Sequence, residues 1–204
     1  LKTMKILYAL AFMFASVVAV AQPTITLLTF ESYTFPDKFD TEYGSGKVHD
    51  GFQWGAGLEF GLSETVAVEL IYQNLKTDVS YQGFDDRYTG TASLNYILLG
   101  GTKYAPINDK ISGFGTFNAG VGFISASTSL ASDDVVKLTL GGRLGVRIMA
   151  SEKISLRIHA QLLSPVQWAG GGFYFGTGGG GAGVSTGSTI WQFNLGGSLN
   201  YRLK

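Results

Sequence analysis

The side chains best equipped for chemistry are ionisable groups set among Gly, Ser, Thr, Asn and Gln. Glu59, Glu69 and, by a less regular pattern, Glu31 supply acid; Lys103, Lys137, Arg143, Arg147, Arg157 and Arg202 supply base. In stretch 51–62 the order is Phe52, Trp54, Ala56, Leu58 and Phe60 against Gln53, Gly55, Gly57, Glu59 and Gly61. In 135–149 it is Val136, Leu138, Leu140, Leu144, Val146 and Ile148 against Lys137, Thr139, Gly141, Arg143, Gly145 and Arg147. Period two sends alternate residues to opposite faces of a strand, so the acids and bases share one face. Two kinds of chemistry follow. The charges can meet and neutralise one another as enclosed ion pairs, which is the favoured reading. Alternatively the surplus of bases over acids holds water or an anion beside it, giving a narrow, anion-biased passage.

Other candidates carry less. His159 shares the parity of Arg157 and Gln161, and a nucleophilic triad would need a carboxylate orienting it; none is recognisable, so both His159 and His49 read as hydrogen-bonded or solvated imidazoles. Acidic residues gather between the alternating stretches: Asp37, Asp40, Glu42 and Asp50, then Asp78, Asp85 and Asp86, then Asp133 and Asp134. No calcium-loop spacing is present, so solvated loop charge is favoured over a cation or basic-partner site. Segment 169–188 is glycine-rich and reads as a flexible loop; its Phe173, Tyr174 and Phe175 could cover a neighbouring mouth, dip into a lipid leaflet or contact a partner, with folding back favoured. No cofactor or metal is implied.

The elements that must position these groups are strands. From Trp191, every second residue to Leu203 is apolar or glycine, with Gln192, Asn194, Ser198, Asn200 and Arg202 between them. With this one included, strands are expected near 24–35, 51–62, 66–76, 88–104, 111–125, 135–149, 154–164 and 189–203, eight in all. Connections 63–65, 106–110 and 150–153 are tight turns of Ser, Pro, Asn, Asp and Glu, and the other connections are long. Only 15% of the 204 residues are charged and 45% are hydrophobic, too few charges for a water-facing shell. Residues 1–21 carry Lys2 and Lys5, an apolar run and the small pair Ala19 and Ala21, which predicts a signal peptide and a mature chain of 22–204 starting at Gln22. Cysteine is absent, which excludes disulfides, thiolate metal sites and an N-terminal lipidated cysteine. The zero net charge gives no support to nucleic-acid binding.

Strands of this length, an even strand number, alternating short and long connections, and the final strand with Trp191 and Phe193 at one end and Tyr201 at the other make the chain resemble the small outer-membrane β-barrels of the OmpA/OmpX type, often described as porin-like. The expected fold is an all-β, eight-stranded antiparallel up-and-down transmembrane β-barrel preceded by a cleavable signal peptide. Its wall would carry the apolar parity, with Trp54, Phe60, Tyr104, Trp191, Phe193 and Tyr201 as interfacial girdles, and its lumen the charges. The resemblance implies a Gram-negative envelope protein of the outer membrane with both termini periplasmic, acting structurally or through surface loops, in contact with outer-membrane lipid and lipopolysaccharide. It also implies recognition of the last strand by the barrel-assembly machinery, and leaves room for an extracellular partner at the loops. A narrow pore is the alternative and a lipid-modifying enzyme a distant third, because such an enzyme would need His159 on the lipid side.

Overall fold

The computed structural model describes residues 24–41, 44–83, 87–128, 132–165, 172–176, 179–183 and 191–203. The expected signal peptide and the start at Gln22 lie outside the described residues, as do Glu42, Asp85 and Asp86. In chain order the strands are β1 (Thr24–Thr34), β2 (Asp37–Thr41), β3 (Gly44–Gly61), β4 (Val66–Gly83), β5 (Arg87–Pro106), β6 (Ile111–Thr128), β7 (Ser132–Met149), β8 (Ile154–Pro165), β9 (Gly172–Gly176), β10 (Gly179–Gly183) and β11 (Gln192–Arg202). Every pairing is antiparallel. Eight of them form a ring: β1, β3, β4, β5, β6, β7, β8 and β11 pair in succession, and β11 returns to β1 with Glu31 opposite Gly197. Closure leaves this ring without an edge, the condition for a sheet to cross lipid.

The tight turns form where Ser, Pro, Asn and Asp were expected to make them. Leu62, Ile107 and Ala150 each donate their amide to the carbonyl of Val66, Ile111 and Ile154 at 2.9 Å. The Asn108 side chain caps its turn by accepting from the amides of Lys110 and Ile111. At the opposite end the strands outrun expectation. β3, β4, β6 and β7 have 18 residues and β5 has 20, against 11 in β1 and β11. Roughly nine to eleven residues cross a bilayer's hydrocarbon, so the long strands continue past it as a collar on the loop side. β2 adds to β3 there, and the glycine-rich segment expected to be a flexible loop instead contributes the hairpin β9–β10, which pairs with β7. Backbone pairing requires no side chain, so a low-complexity composition does not forbid it.

Facing follows parity with three corrections. The outward set includes Phe52, Trp54, Leu58, Leu70, Ile97, Leu99, Leu138, Leu144, Ile158, Leu195 and Leu199, all exposed. Glu31 also points outward, because Leu28, Phe30, Ser32 and Thr34 take the interior and leave Glu31 with Tyr33. Lys103 points outward near the turns and donates to the Thr65 hydroxyl at 3.3 Å. Tyr104, expected in a girdle, is buried inside. The interior is also less polar than expected: Leu28, Phe30, Ile71, Leu75, Leu94, Tyr96, Leu98 and Leu163 pack there as one apolar cluster.

The lumen ion cluster as candidate functional site

Glu59 and Glu69 are direct partners across the β3·β4 ladder, both projecting inward. Arg143 on β7 and Arg157 on β8 reach them from the far wall. Arg143 pairs with Glu69 through Nη2 and Oε1, and Arg157 Nη2 lies 2.7 Å from Glu59 Oε2. A longer contact of 3.9 Å joins Arg157 Nη1 to Glu69 Oε2. The Tyr104 hydroxyl donates to Glu59 Oε2 at 2.6 Å and also contacts Arg157 Nη2. Thr102 donates to Glu69 Oε2 at 3.4 Å and is linked to Thr116 at 2.8 Å. Arg143 and Arg157 are 1% and 2% exposed, so these are enclosed pairs: the ion contacts and the Tyr104 and Thr102 hydroxyls offset part of the cost of removing four charges from water, while Nε and Nη1 of both arginines have no hydrogen-bond partner among the described residues.

Aromatic rings complete the cluster. The Arg143 guanidinium lies 4.6 Å from the Phe30 ring centroid, and Arg147 lies 3.9 Å from that of Tyr104. On the loop side of the ions is a glutamine layer. Gln73 and Gln161 exchange amide hydrogen bonds at 3.2 and 3.1 Å across the barrel, joined by Gln53 at 3.5 Å. Beyond them the Tyr96 hydroxyl donates to Gln192 at 2.8 Å, within the apolar cluster. His159 sits in the lumen as expected, 3% exposed, edge-on to Phe30. Both of its ladder neighbours are glycine: a Cβ at Gly145 would lie 2.9 Å from His159 Cβ and 2.1 Å from a backbone carbonyl. Among the described residues the ring nitrogens have no hydrogen-bond partner, and none of those residues orients the imidazole as a triad carboxylate would.

The predicted charges are therefore only partly brought together. Glu59, Glu69, Arg143 and Arg157 form the cluster, Arg147 stacks at its turn-side edge, Arg202 lines the mouth and Lys137 projects inward higher up β7. Glu31 and Lys103 are on the other side of the wall. Of the girdle residues, Trp54, Trp191, Phe193 and Tyr201 are exposed on the outer face, Phe60 is half-buried on it, and Tyr104 belongs to the lumen. Phe173, Tyr174 and Phe175 lie on β9 opposite Val136, Val135 and Asp134 of β7.

Two groups escaped the sequence reading. The Tyr104 hydroxyl carries a polar tip into the cluster on an aromatic body, and the pairing of Tyr with Lys at 103–104 gave no cue to their order. On the outer wall, Asn95 Oδ1 accepts from Tyr72 at 2.7 Å and from Asn74 at 2.8 Å, with Ser93 at 3.4 Å from both amides. Asn74 and Asn95 on the apolar parity were the available signal. Among the acidic residues, Asp50 accepts from Tyr33 at 2.8 Å and Asp37 from the Trp191 amide at 2.8 Å, and no group of three or more residues able to hold a metal occurs among the described residues.

No family model matches the chain, and no curated protein matches it. Solved structures do. Neisserial surface protein A is 11% identical with a TM-score of 0.62, covering 88% of this chain and 97% of that one. The outer membrane protein OprG of Pseudomonas aeruginosa is 13% identical with a TM-score of 0.54, over 88% and 96%. The N-terminal β-barrel domain of Pseudomonas aeruginosa OprF is 11% identical with a TM-score of 0.50, over 87% and 97%. At such identities the likeness is one of architecture: the chain has the fold of the small eight-stranded outer-membrane β-barrels.

Proposed function

We propose that the protein is an integral outer-membrane barrel with a closed lumen, acting as a structural or surface-interaction element through its extracellular collar. The observation that carries this is the interior itself: ion pairs, exchanged glutamine amides and an apolar cluster that packs on both sides of those glutamines fill it, each buried. An eight-stranded barrel is only wide enough for side chains to fill. An exposed apolar wall and a predicted signal peptide support the outer-membrane location. The collar of β2 and the β9–β10 hairpin supplies the surface on which an extracellular partner would act, while lipid and lipopolysaccharide contact the wall and the assembly machinery reads β11. No catalytic step is assigned, since His159 faces the lumen with no carboxylate partner among the described residues.

Single-channel recording of the purified barrel in planar bilayers tests the closed lumen. A flat baseline is expected. A steady, anion-selective current would overturn the plug and establish the narrow channel in its place.

A further inference from the structure

We propose that the periplasmic mouth of the lumen binds a small oxyanion, of the phosphate or carboxylate class, between Arg147 and Arg202. Both arginines line a cavity of about 440 Å³ together with Thr24, Thr26, Glu59 and Tyr104, and both also line a smaller neighbouring space beside Lys153 and Arg157. Room of that size admits an anion with several waters, each occupying about 30 Å³.

At the turn-side mouth, Arg147 and Arg202 are left over by the ion cluster. Glu69 is committed to Arg143, and Glu59 Oε2 to Arg157 and Tyr104, so the carboxylate bordering the cavity is already neutralised. Neither Arg147 nor Arg202 makes an ion pair among the described residues. Stacking on Tyr104 at 3.9 Å engages only the face of the Arg147 guanidinium and leaves its in-plane edge available, and its buried Nε has no hydrogen-bond partner among the described residues. A planar fork held flat by a ring is suited to bidentate recognition of an oxyanion. Arg202 on β11 provides a second cation, and Thr26, inward on β1, a neutral donor. The remaining acids on the lining, Glu64 and Glu152, are exposed on the turns, where water screens them. The cavity ends against the Tyr104–Glu59–Arg157 contacts, so it is a blind site entered from the turn side. Binding there is read separately from current, and the conductance result does not decide it.

The test is an NMR titration of the full isotope-labelled barrel with inorganic phosphate at constant ionic strength, following the Nε–H signals of Arg147 and Arg202. A saturable shift in the millimolar range is expected, absent when chloride replaces phosphate. Arg202→Gln, at the exposed mouth and compatible with folding, should weaken binding about tenfold, the loss of one charge-assisted contact, and Lys103→Gln on the outer face should leave it unchanged. In nanodiscs of anionic phospholipid, an Arg147 signal already displaced before phosphate is added would assign the oxyanion to a lipid headgroup; a shift only on addition assigns it to the free ion. Absence of a saturable shift in both settings, an equal response to chloride, or an undiminished affinity in Arg202→Gln would overturn the proposal.

Discussion

Near the turns the lumen is held by Arg143, Arg157, Glu59 and Glu69; from Leu28, Ile71 and Leu98 just above them to Leu75 and Leu94 nearer the loops it is filled by apolar side chains, with Phe30 against Arg143 where the two regions meet. Both layers are buried, but they solve the interior differently. An apolar layer gains from desolvation, whereas an ionic layer must recover a desolvation cost through geometry. What the ions add is definition. They come from β3, β4, β7 and β8 and meet across the barrel, and a slip of one residue in any of those strands would turn its charge into lipid. Leucine and isoleucine packing tolerates such errors more readily.

The sharpest way to break this contrast is to remove one acid. Glu69→Gln leaves Arg143 without its carboxylate, and unfolding in lipid vesicles should show a loss of about 3 to 5 kcal/mol, as when a dry pair is broken. An unchanged unfolding midpoint would mean that the ionic layer is wet. Next in size, Leu98→Ala opens a cavity in the apolar layer and should cost about 2 to 4 kcal/mol in the same assay; a much smaller loss would show the upper lumen to be loosely filled. Converting one chemistry into the other is gentler. The double replacement Glu69→Leu with Arg143→Met should lie within about 1 kcal/mol of the parent protein, or above it, because no charge is stranded. If the ions define register, its refolding yield should nevertheless fall, and a parental yield would refute that role. Smallest of all, Glu31→Gln on the outer face should shift stability by less than about 1 kcal/mol, in the stabilising direction, since an acid near the interface costs little and gains nothing here. A large loss would reveal a partner for Glu31.

Much of this architecture was legible from alternation. In residues 51–61 of β3, in β7 and in β11 the two parities separate cleanly and lie on opposite faces, whereas a register shift between Val48 and Gly51 inverts the facing at the loop end of β3. Alternation failed where its physical basis weakens. At 103–104, close to a turn, the outer face is interfacial rather than hydrocarbon, so lysine is tolerated there and Tyr104 is released to carry its hydroxyl to Glu59. In β1 the aromatic Tyr33 and the charged Glu31 share a face, and the apolar pair Leu28 and Phe30 settled the orientation by entering the lumen. The apolar layer was hidden because residues such as Leu70 and Ile71, or Leu98 and Leu99, are adjacent and apolar on both faces. The four-residue ion cluster drew its acids and arginines from the predicted set, but its aromatic members had no period to betray them.

Nearly every seam in the ring joins strands that are neighbours along the chain; the β1·β11 seam joins its two ends, with Thr29 donating to the carbonyl of Leu199 across 170 positions. Hairpins can zip as they are made, whereas this joint must wait for the last strand and bears the loop-closure entropy of the whole domain. Until β11 arrives, β1 and β8 present two rows of unsatisfied amides and carbonyls, which hydrocarbon penalises heavily. Ring completion therefore waits on one eleven-residue segment, and only with it does the last open edge of the wall disappear.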